Sequence, residues 1–331
     1  MLSRPRRLRD NSITRELIHE THLSLSHLMQ PYFLNSNPQA QDPIKGFTGV
    51  YRWGIEKLKK QIESDIERGI KSFLLFGSAE ANEKDGSGTV AQKPDSLLPE
   101  SIRQLKRSFG DQVLLFSDVC LCPFTDHGHC GVVKEDRVEN DDSLEPLAKI
   151  ALAHAEAGVD FVAPSDMMDG RVAAIRNKLD SKGFTNTGIL AYSAKYASSY
   201  YGPFREALGS SPQKSVAERL KDRSTYQMDF RNSTEALREL QEDIREGADM
   251  VMVKPALPYL DIIASFRKQS TVPVVAYSVS AEFEMVKALV AKGMADERQM
   301  VIENLTAIRR AGAHLIATYH ATELAEKGWL R

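Results

Sequence analysis

The sequence predicts an α/β protein built as a (β/α)8 TIM barrel, on three observations. Short apolar, β-branched runs alternate with helix-period stretches. Seven of these runs are clear and an eighth is short, a number that favours a closed barrel over an open doubly wound sheet. No G-x-G-x-x-G phosphate loop follows an early run, which weakens the dinucleotide-binding alternative.

The short run is Tyr32–Leu34, too brief for pattern alone to establish as a strand. Strands are then expected at Ser72–Phe76, Val113–Val119, Val159–Ala163, Gly188–Tyr192, Met250–Val253, Val272–Ala276 and His314–Thr318. Between them, Ile55, Leu58, Ile62 and Ile66 recur at spacings of three and four, one apolar face of a helix that Gly69 ends. Ser143–Gly158 and Thr234–Gly247 read the same way, each closing on a glycine, and Asp296–Gly312 puts Ile302, Leu305 and Ile308 on one face. Two long connections, Cys120–Asp142 and Ser193–Ser233, follow strands, and loops at that end of a barrel are where chemistry is built.

Composition narrows the function classes. A formal net charge of −2 over 331 residues gives no reason to expect a nucleic-acid or membrane partner. No apolar run approaches the roughly 20 residues of a membrane helix. Arg4, Arg6, Arg7 and Arg9 crowd the N-terminus without the apolar core of a signal peptide after them, and form either a solvated tail or an arm gripping a neighbouring subunit. A cytoplasmic location is expected.

The segment Asp118–Gly131 reads DVCLCPFTDHGHCG. Cys120, Cys122 and Cys130 are the only cysteines, an odd number packed into one loop, which suits metal binding better than disulfides. In extended chain, Cys120 and Cys122 point the same way, and the loop can return Cys130 to them. Three thiolates leave a fourth tetrahedral position open, as a catalytic site requires, and soft sulfur selects zinc. His127 and His129 are rival candidates for that fourth position, so spacing alone leaves the site open between catalytic and structural.

Lys254 follows the run Asp249–Val253, and Lys195 stands in nearly the same relation to its own strand in GILAYSAKY. Lysines at the mouth of a barrel are rarely buried without a purpose. Desolvation and a neighbouring ammonium both lower an amine's pKa, and a neutral amine attacks a carbonyl to form a Schiff base. The other reading is a pair of salt-bridged rim lysines. Asp118, Ser165 and Asp166 fall at strand ends, where a carboxylate holds an ammonium, moves a proton or caps a helix. Arg205 and Arg223, in the loop after Lys195, are suited to clamping a carboxylate or to a solvated surface.

These residues together resemble the porphobilinogen synthase (5-aminolevulinate dehydratase) family, in its zinc-dependent form. The motifs that carry the resemblance are FGSAEANEKDGSG (76–88), DVCLCPFTDHGHCG (118–131), APSDMMDGRVAAIR (163–176), YSAKYASSYYGPFR (192–205), DMVMVKPALPYLD (249–261), AYSVSAEFEMVKA (276–288) and RAGAHLIATY (310–319). It covers nearly the whole chain after the first 28 residues, and implies an N-terminal arm at 1–28 and a catalytic (β/α)8 barrel at 29–331. It further implies a homo-octamer whose substrate is 5-aminolevulinate. By motif position, Lys254 forms the Schiff base in the A site and Lys195 in the P site. Cys120, Cys122 and Cys130 hold the zinc. Arg205, Arg223 and Gln227 contact the A-side substrate. Ser280 and Tyr319 bind the P-side carboxylate, Tyr277 joins the substrate-binding set, and Asp118, Ser165 and Asp166 line the centre. Some members carry an allosteric magnesium on a glutamate matching Glu246.

The chain departs from the family pattern at Ala281 and Ala256, where glycine is usual, at Phe47-Thr48, usually Met-Pro or Leu-Pro, and at His314, usually aspartate. Ala281 would strain a turn that needs positive φ. Two alternatives remain: a non-catalytic paralogue that keeps the fold and the oligomer, and another Schiff-base barrel of the aldolase kind, which would have no thiolate metal site.

Overall fold

The structure, a computed structural model, describes residues 3–212 and 218–330. Eight parallel strands form the barrel: β1 Leu28–Leu34, β2 Ser72–Phe76, β3 Leu114–Val119, β4 Phe161–Pro164, β5 Gly188–Lys195, β6 Met250–Lys254, β7 Val274–Ser278 and β8 Leu315–Thr318. Each pairs with the next in sequence, and β8 pairs back onto β1 through Ile316–Leu28 and Ala317–Met29, which closes the barrel. A hairpin of Gln41–Pro43 and Tyr51–Trp53 extends the sheet beside β1.

The expected strands are present with shifted ends. The largest shift is in β1, where the apolar signal is broken by Gln30 and Pro31 although all seven residues are buried. Gln30 satisfies its amide locally: its Oε1 accepts from Thr322 N at 3.0 Å and its Nε2 donates to the Pro31 carbonyl at 3.1 Å. A polar residue with partners on both amide atoms is compatible with burial, but periodicity does not register it. Strands β5 and β6 run further than expected, so that Lys195 and Lys254 are their last residues.

The helices follow the spacing argument. Ile55–Arg68 buries Ile55, Leu58 and Ile62 and ends on Gly69 in the left-handed region, where a side chain would be strained. Burying each such side chain contributes about 1.5–3 kcal/mol. Asn140–Glu156 starts three residues before the expected Ser143, and Thr234–Glu246 ends on Gly247. Glu297–Ala311 is capped by Asp296, which accepts from Gln299 N at 2.8 Å. Its fully buried face is Val301, Leu305 and Ile308, with Ile302 packed at the edge. Leu97–Phe109, Arg171–Ser181, Leu260–Gln269 and Ser280–Ala291 complete the layer around the barrel.

Two cores result. One lies between strands and helices, and includes Leu58, Leu75, Leu115, Ile189, Ala191, Ala194, Val251 and Val253. The other fills the barrel with Phe33, Phe76, Phe116, Tyr192, Met252, Tyr277 and Tyr319. Three even strands begin with the same device. Asp160, Asp249 and His314 each precede a strand, donate their backbone N–H to the neighbouring strand, and accept from that strand with the side chain. The accepted bonds are Leu115 N to Asp160 at 2.7 Å, Ile189 N to Asp249 at 2.8 Å and Val274 N to His314 Nδ1 at 2.9 Å. His314 therefore supplies the acceptor that aspartate supplies at the other two positions. Ala281 lies inside the helix Ser280–Ala291 and is not among the positive-φ residues, so the expected strain is absent there.

The arm is exposed. Its helix Ser12–Ile18 buries nothing, and Ile13 and Leu17 are 80% and 82% exposed. The barrel's first strand begins at Leu28, the last residue assigned to the arm. No helix among the described residues is long and apolar enough to cross a membrane.

Candidate active site

Lys195 and Lys254 are register partners at the ends of β5 and β6. Simple alternation does not produce this pairing. Tyr192 faces the barrel interior and Lys195 is three residues on, so in a regular strand the two would point to opposite faces. The register shifts between Val251 and Val253, whose partners are Ala191 and Ala194, so Met252 has two residues opposite it. That bulge turns Lys195 back inside, and both amines lie over the Tyr192 ring, at 5.7 Å and 5.2 Å from its centre.

The two lysines are both buried, in different company. Lys195 Nζ donates to the Ser165 carbonyl. Lys254 Nζ has no hydrogen-bond acceptor among the described residues and stands over aromatic faces, 4.2 Å from the Tyr277 centroid and 4.4 Å from that of Phe204. Burial, and next the Lys195 charge, hold Lys254 well below the ordinary lysine range, against the pull of Asp118, Cys122 and Cys120. Asp118 is raised by burial, an effect opposed by Lys195, by a hydrogen bond from Ser165 and by Lys254. Asp118 and Ser165 thus join the lysines at the centre.

Cys120, Cys122 and Cys130 are buried free thiols whose sulfurs all lie within 4.8 Å of one another. Cys120 Sγ and Cys122 Sγ are 3.4 Å apart. Thiolates on a tetrahedral ion at about 2.3 Å stand roughly 3.8 Å from each other, so the trio fits a metal with little movement. Burial opposes ionisation of Cys130, but hydrogen bonds from Cys120 and Cys122 and the charges of Arg223 and Lys195 outweigh it and hold that thiol well below its usual range. The histidines are otherwise engaged. His127 Nδ1 accepts from His129 N at 3.0 Å and its Nε2 meets the Gly86 carbonyl at 3.2 Å. His129 Nδ1 meets Tyr226 Oη at 3.1 Å and its Nε2 the Leu220 carbonyl at 2.9 Å. Both rings are committed to partners other than the cysteine trio.

Beside the cysteines is a cavity of about 430 Å³ lined by Ser198, Arg205, Arg223 and Gln227, among others. Arg223 donates to the carbonyls of Gly128 and Ser210 at 3.0 and 2.6 Å. Its Nε, the Arg205 Nε and both amide atoms of Gln227 are buried without a hydrogen-bond partner among the described residues. Burial, and next the Arg223 charge, lower the Arg205 pKa. Two guanidiniums that repel each other beside unsatisfied donors call for an anion, and a carboxylate matches their geometry.

On the other side of Lys254, Tyr277 and Tyr319 join their hydroxyls at 2.8 Å. Ser280 opens its helix, accepting from Phe204 N at 3.3 Å and donating to the Tyr200 carbonyl at 3.2 Å. Two residues expected at the centre or at a metal have other partners. Asp166 accepts from Met168 N at 2.8 Å and lies 3.9 Å from Arg171, and burial raises its carboxyl to about 7 against the Arg171 charge. Arg171 in turn bridges Asp243 with bonds of 3.1 and 3.2 Å. Glu246 accepts from Ala173 N at 3.1 Å, and among the described residues only the cysteine trio gathers three candidate metal ligands.

The sequence reading missed the aromatic wall of Lys254 and one carboxylate. Tyr192, Tyr201 and Phe204 all fall in YSAKYASSYYGPFR, whose aromatic density was the available signal. Glu282, 2% exposed, accepts from the backbone of Ala256, Leu257 and Val279. In the sequence it is only the third residue of a helix.

The family described as Delta-aminolevulinic acid dehydratase matches residues 2–327. The Delta-aminolevulinic acid dehydratase of Methanothermus sociabilis is 47% identical over 98% of both chains. That of Bacillus subtilis is 44% identical over 99% of this chain and 98% of its own. The crystal structure of the enzyme from Toxoplasma gondii ME49, in complex with the reaction product porphobilinogen, superposes with a TM-score of 0.94 at 46% identity, covering 99% of this chain and 92% of that one.

Proposed function

The chain belongs to the delta-aminolevulinic acid dehydratase family, and on that footing we propose that it is a porphobilinogen synthase, joining two molecules of 5-aminolevulinate into porphobilinogen with loss of two waters. The observation that carries the reading is the pair of in-register amines, Lys195 and Lys254, beside three buried thiols at the mouth of one barrel.

Each lysine takes the ketone of one substrate as a Schiff base. Lys254, its charged form disfavoured by burial and without an acceptor to leave, is the readier to attack, whereas Lys195 must first leave the Ser165 carbonyl. Holding two imines side by side makes their union effectively unimolecular. A carbon–carbon and a carbon–nitrogen bond then form between the substrates, and each lysine departs as a free amine. The two ketone oxygens leave as the two waters, and proton loss aromatises the ring. Asp118, hydrogen-bonded to Ser165 and facing both amines, is the proton carrier in this reading.

Cys120, Cys122 and Cys130 would hold the metal, zinc by donor type, which when bound acts as a Lewis acid toward a substrate group. Arg205, Arg223 and Gln227 would receive one substrate carboxylate, and Ser280 and Tyr319 the other, with Tyr277 supporting Tyr319. The contacts favour a lysine assignment opposite to the one implied by the resemblance. Lys254 packs on Tyr277 and Phe204, beside Ser280, so it goes with the P-side carboxylate. Lys195 shares the electrostatics of Cys130 with Arg223 and goes with the A side.

The arm at 1–28, with Ile13 and Leu17 uncovered, fits a subunit that grips its neighbour in a homo-octamer, and the enzyme would work in the cytoplasm. Magnesium at Glu246 would need water or a partner chain's groups as its other ligands. The test is turnover of 5-aminolevulinate with and without a zinc chelator, together with borohydride trapping and peptide mapping. Turnover that is lost on chelation, with label on Lys254, is expected. A folded, metal-loaded protein that neither turns over nor traps the substrate would overturn the reading.

A further inference from the structure

Glu282 is an acid with no role in the chemistry above, buried where two substrate-binding segments meet. Its Oε1 accepts from Leu257 N at 2.6 Å, and its Oε2 from Ala256 N at 3.3 Å and Val279 N at 2.6 Å. Ala256 and Leu257 belong to the turn that directly follows Lys254. Val279 directly precedes Ser280 and caps its helix. One carboxylate therefore holds the end of the lysine's strand against the start of the serine's helix. Tyr201 steadies the same strand end from another side, its hydroxyl donating to the Lys254 carbonyl at 3.1 Å. Burial raises the Glu282 carboxyl to about 7 against these three bonds, and an acceptor that satisfies three buried N–H groups is a geometrically exacting tie.

We propose that Glu282 is a positioning residue that fixes the span between Lys254 Nζ and Ser280 Oγ, and so selects the length of keto acid that can place its ketone on one and its carboxylate on the other. This rests on the functional reading of Lys254 and Ser280 given above. In 5-aminolevulinate, ketone and carboxylate are separated by two methylenes. A span held rigidly at that reach rejects a chain one methylene longer, which must buckle or lift its ketone off the amine. Small displacements of reacting groups are costly, about 10²-fold for 1 Å.

The experiment compares 4-oxopentanoate with 5-oxohexanoate as probes. Each is trapped on Lys254 by borohydride in the metal-loaded wild type, in Glu282→Gln and in Glu282→Asp, with 5-aminolevulinate kcat and KM measured alongside. Gln presents an amide to backbone N–H groups, and Asp keeps the carboxyl but withdraws it by one methylene. In the wild type, the shorter acid should trap faster. Both variants should lower that preference by about tenfold, and kcat by about 10²-fold with a smaller change in KM, at unchanged circular dichroism. If Glu282→Gln does not fold, the preference in Glu282→Asp decides. A wild-type preference in a folded variant overturns the proposal. Failure of the wild type to trap either probe or to turn over 5-aminolevulinate refutes the functional reading instead.

Discussion

The ends of β5 and β6 carry the same side chain at the same level of the barrel, and the two sites differ in almost everything else. Lys195 donates to a carbonyl and lies in the field of Asp118 and Cys130. Lys254 stands among aromatic rings without an acceptor, its charge disfavoured by burial and by Lys195. The difference shows how identical amines acquire an order of reaction. One is anchored to a carbonyl, and the other has its charged form disfavoured by burial and by its neighbour.

Replacing the amines separately tests this most severely. Lys254→Met should abolish trapping at that position and reduce turnover by about 10⁵-fold, the scale of a lost covalent tether. Lys195→Met should also stop turnover but leave Lys254 able to trap. Because the Lys195 charge lowers the Lys254 pKa, its removal should move the onset of trapping to higher pH. An onset that stays in place would break the comparison, since the two amines would then be independent.

Asp118→Asn comes next, with kcat expected to fall about 10²–10⁴-fold. Its carboxylate raises the Lys254 pKa, so the variant should trap at lower pH than the wild type, the opposite shift to Lys195→Met. Arg171→Met strikes the support under the Lys195 side. Arg171 is buried and bridges Asp243 beside the turn that carries Ser165 and Asp166, so its loss should cost about 3–5 kcal/mol in denaturant unfolding. Trapping at Lys254 in the folded fraction should change little. The smallest effect belongs to Tyr277→Phe, which keeps the ring over Lys254 and drops the hydroxyl bonded to Tyr319. Stability should fall by about 1 kcal/mol, with the pH onset of trapping unmoved.

Much of this architecture is legible in the residues. The alternation of apolar runs and helical faces gives the barrel because it reports burial, and the cysteine spacing gives the metal site because extended backbone sets side-chain direction. Legibility fails where a long-range partner decides. Gln30 sits in a buried strand because Thr322 satisfies it from the far end of the chain. His127 and His129 look like ligands until Gly86, Tyr226 and Leu220 occupy their nitrogens. Glu282 gives no signal at all, because its partners are backbone amides, which leave no trace in side-chain identity.

The doubled residue opposite Met252 makes the orientation of Lys195 a question of odd and even. Inserting one residue after Ser193 would leave the strand long enough to keep its neighbours, yet it would swap inside for outside from that point on. Ala194 would enter the barrel, and the amine would be driven into the greasy layer beneath the helices. Such a protein should close, fold less stably and fail as a catalyst while retaining every residue the chemistry requires.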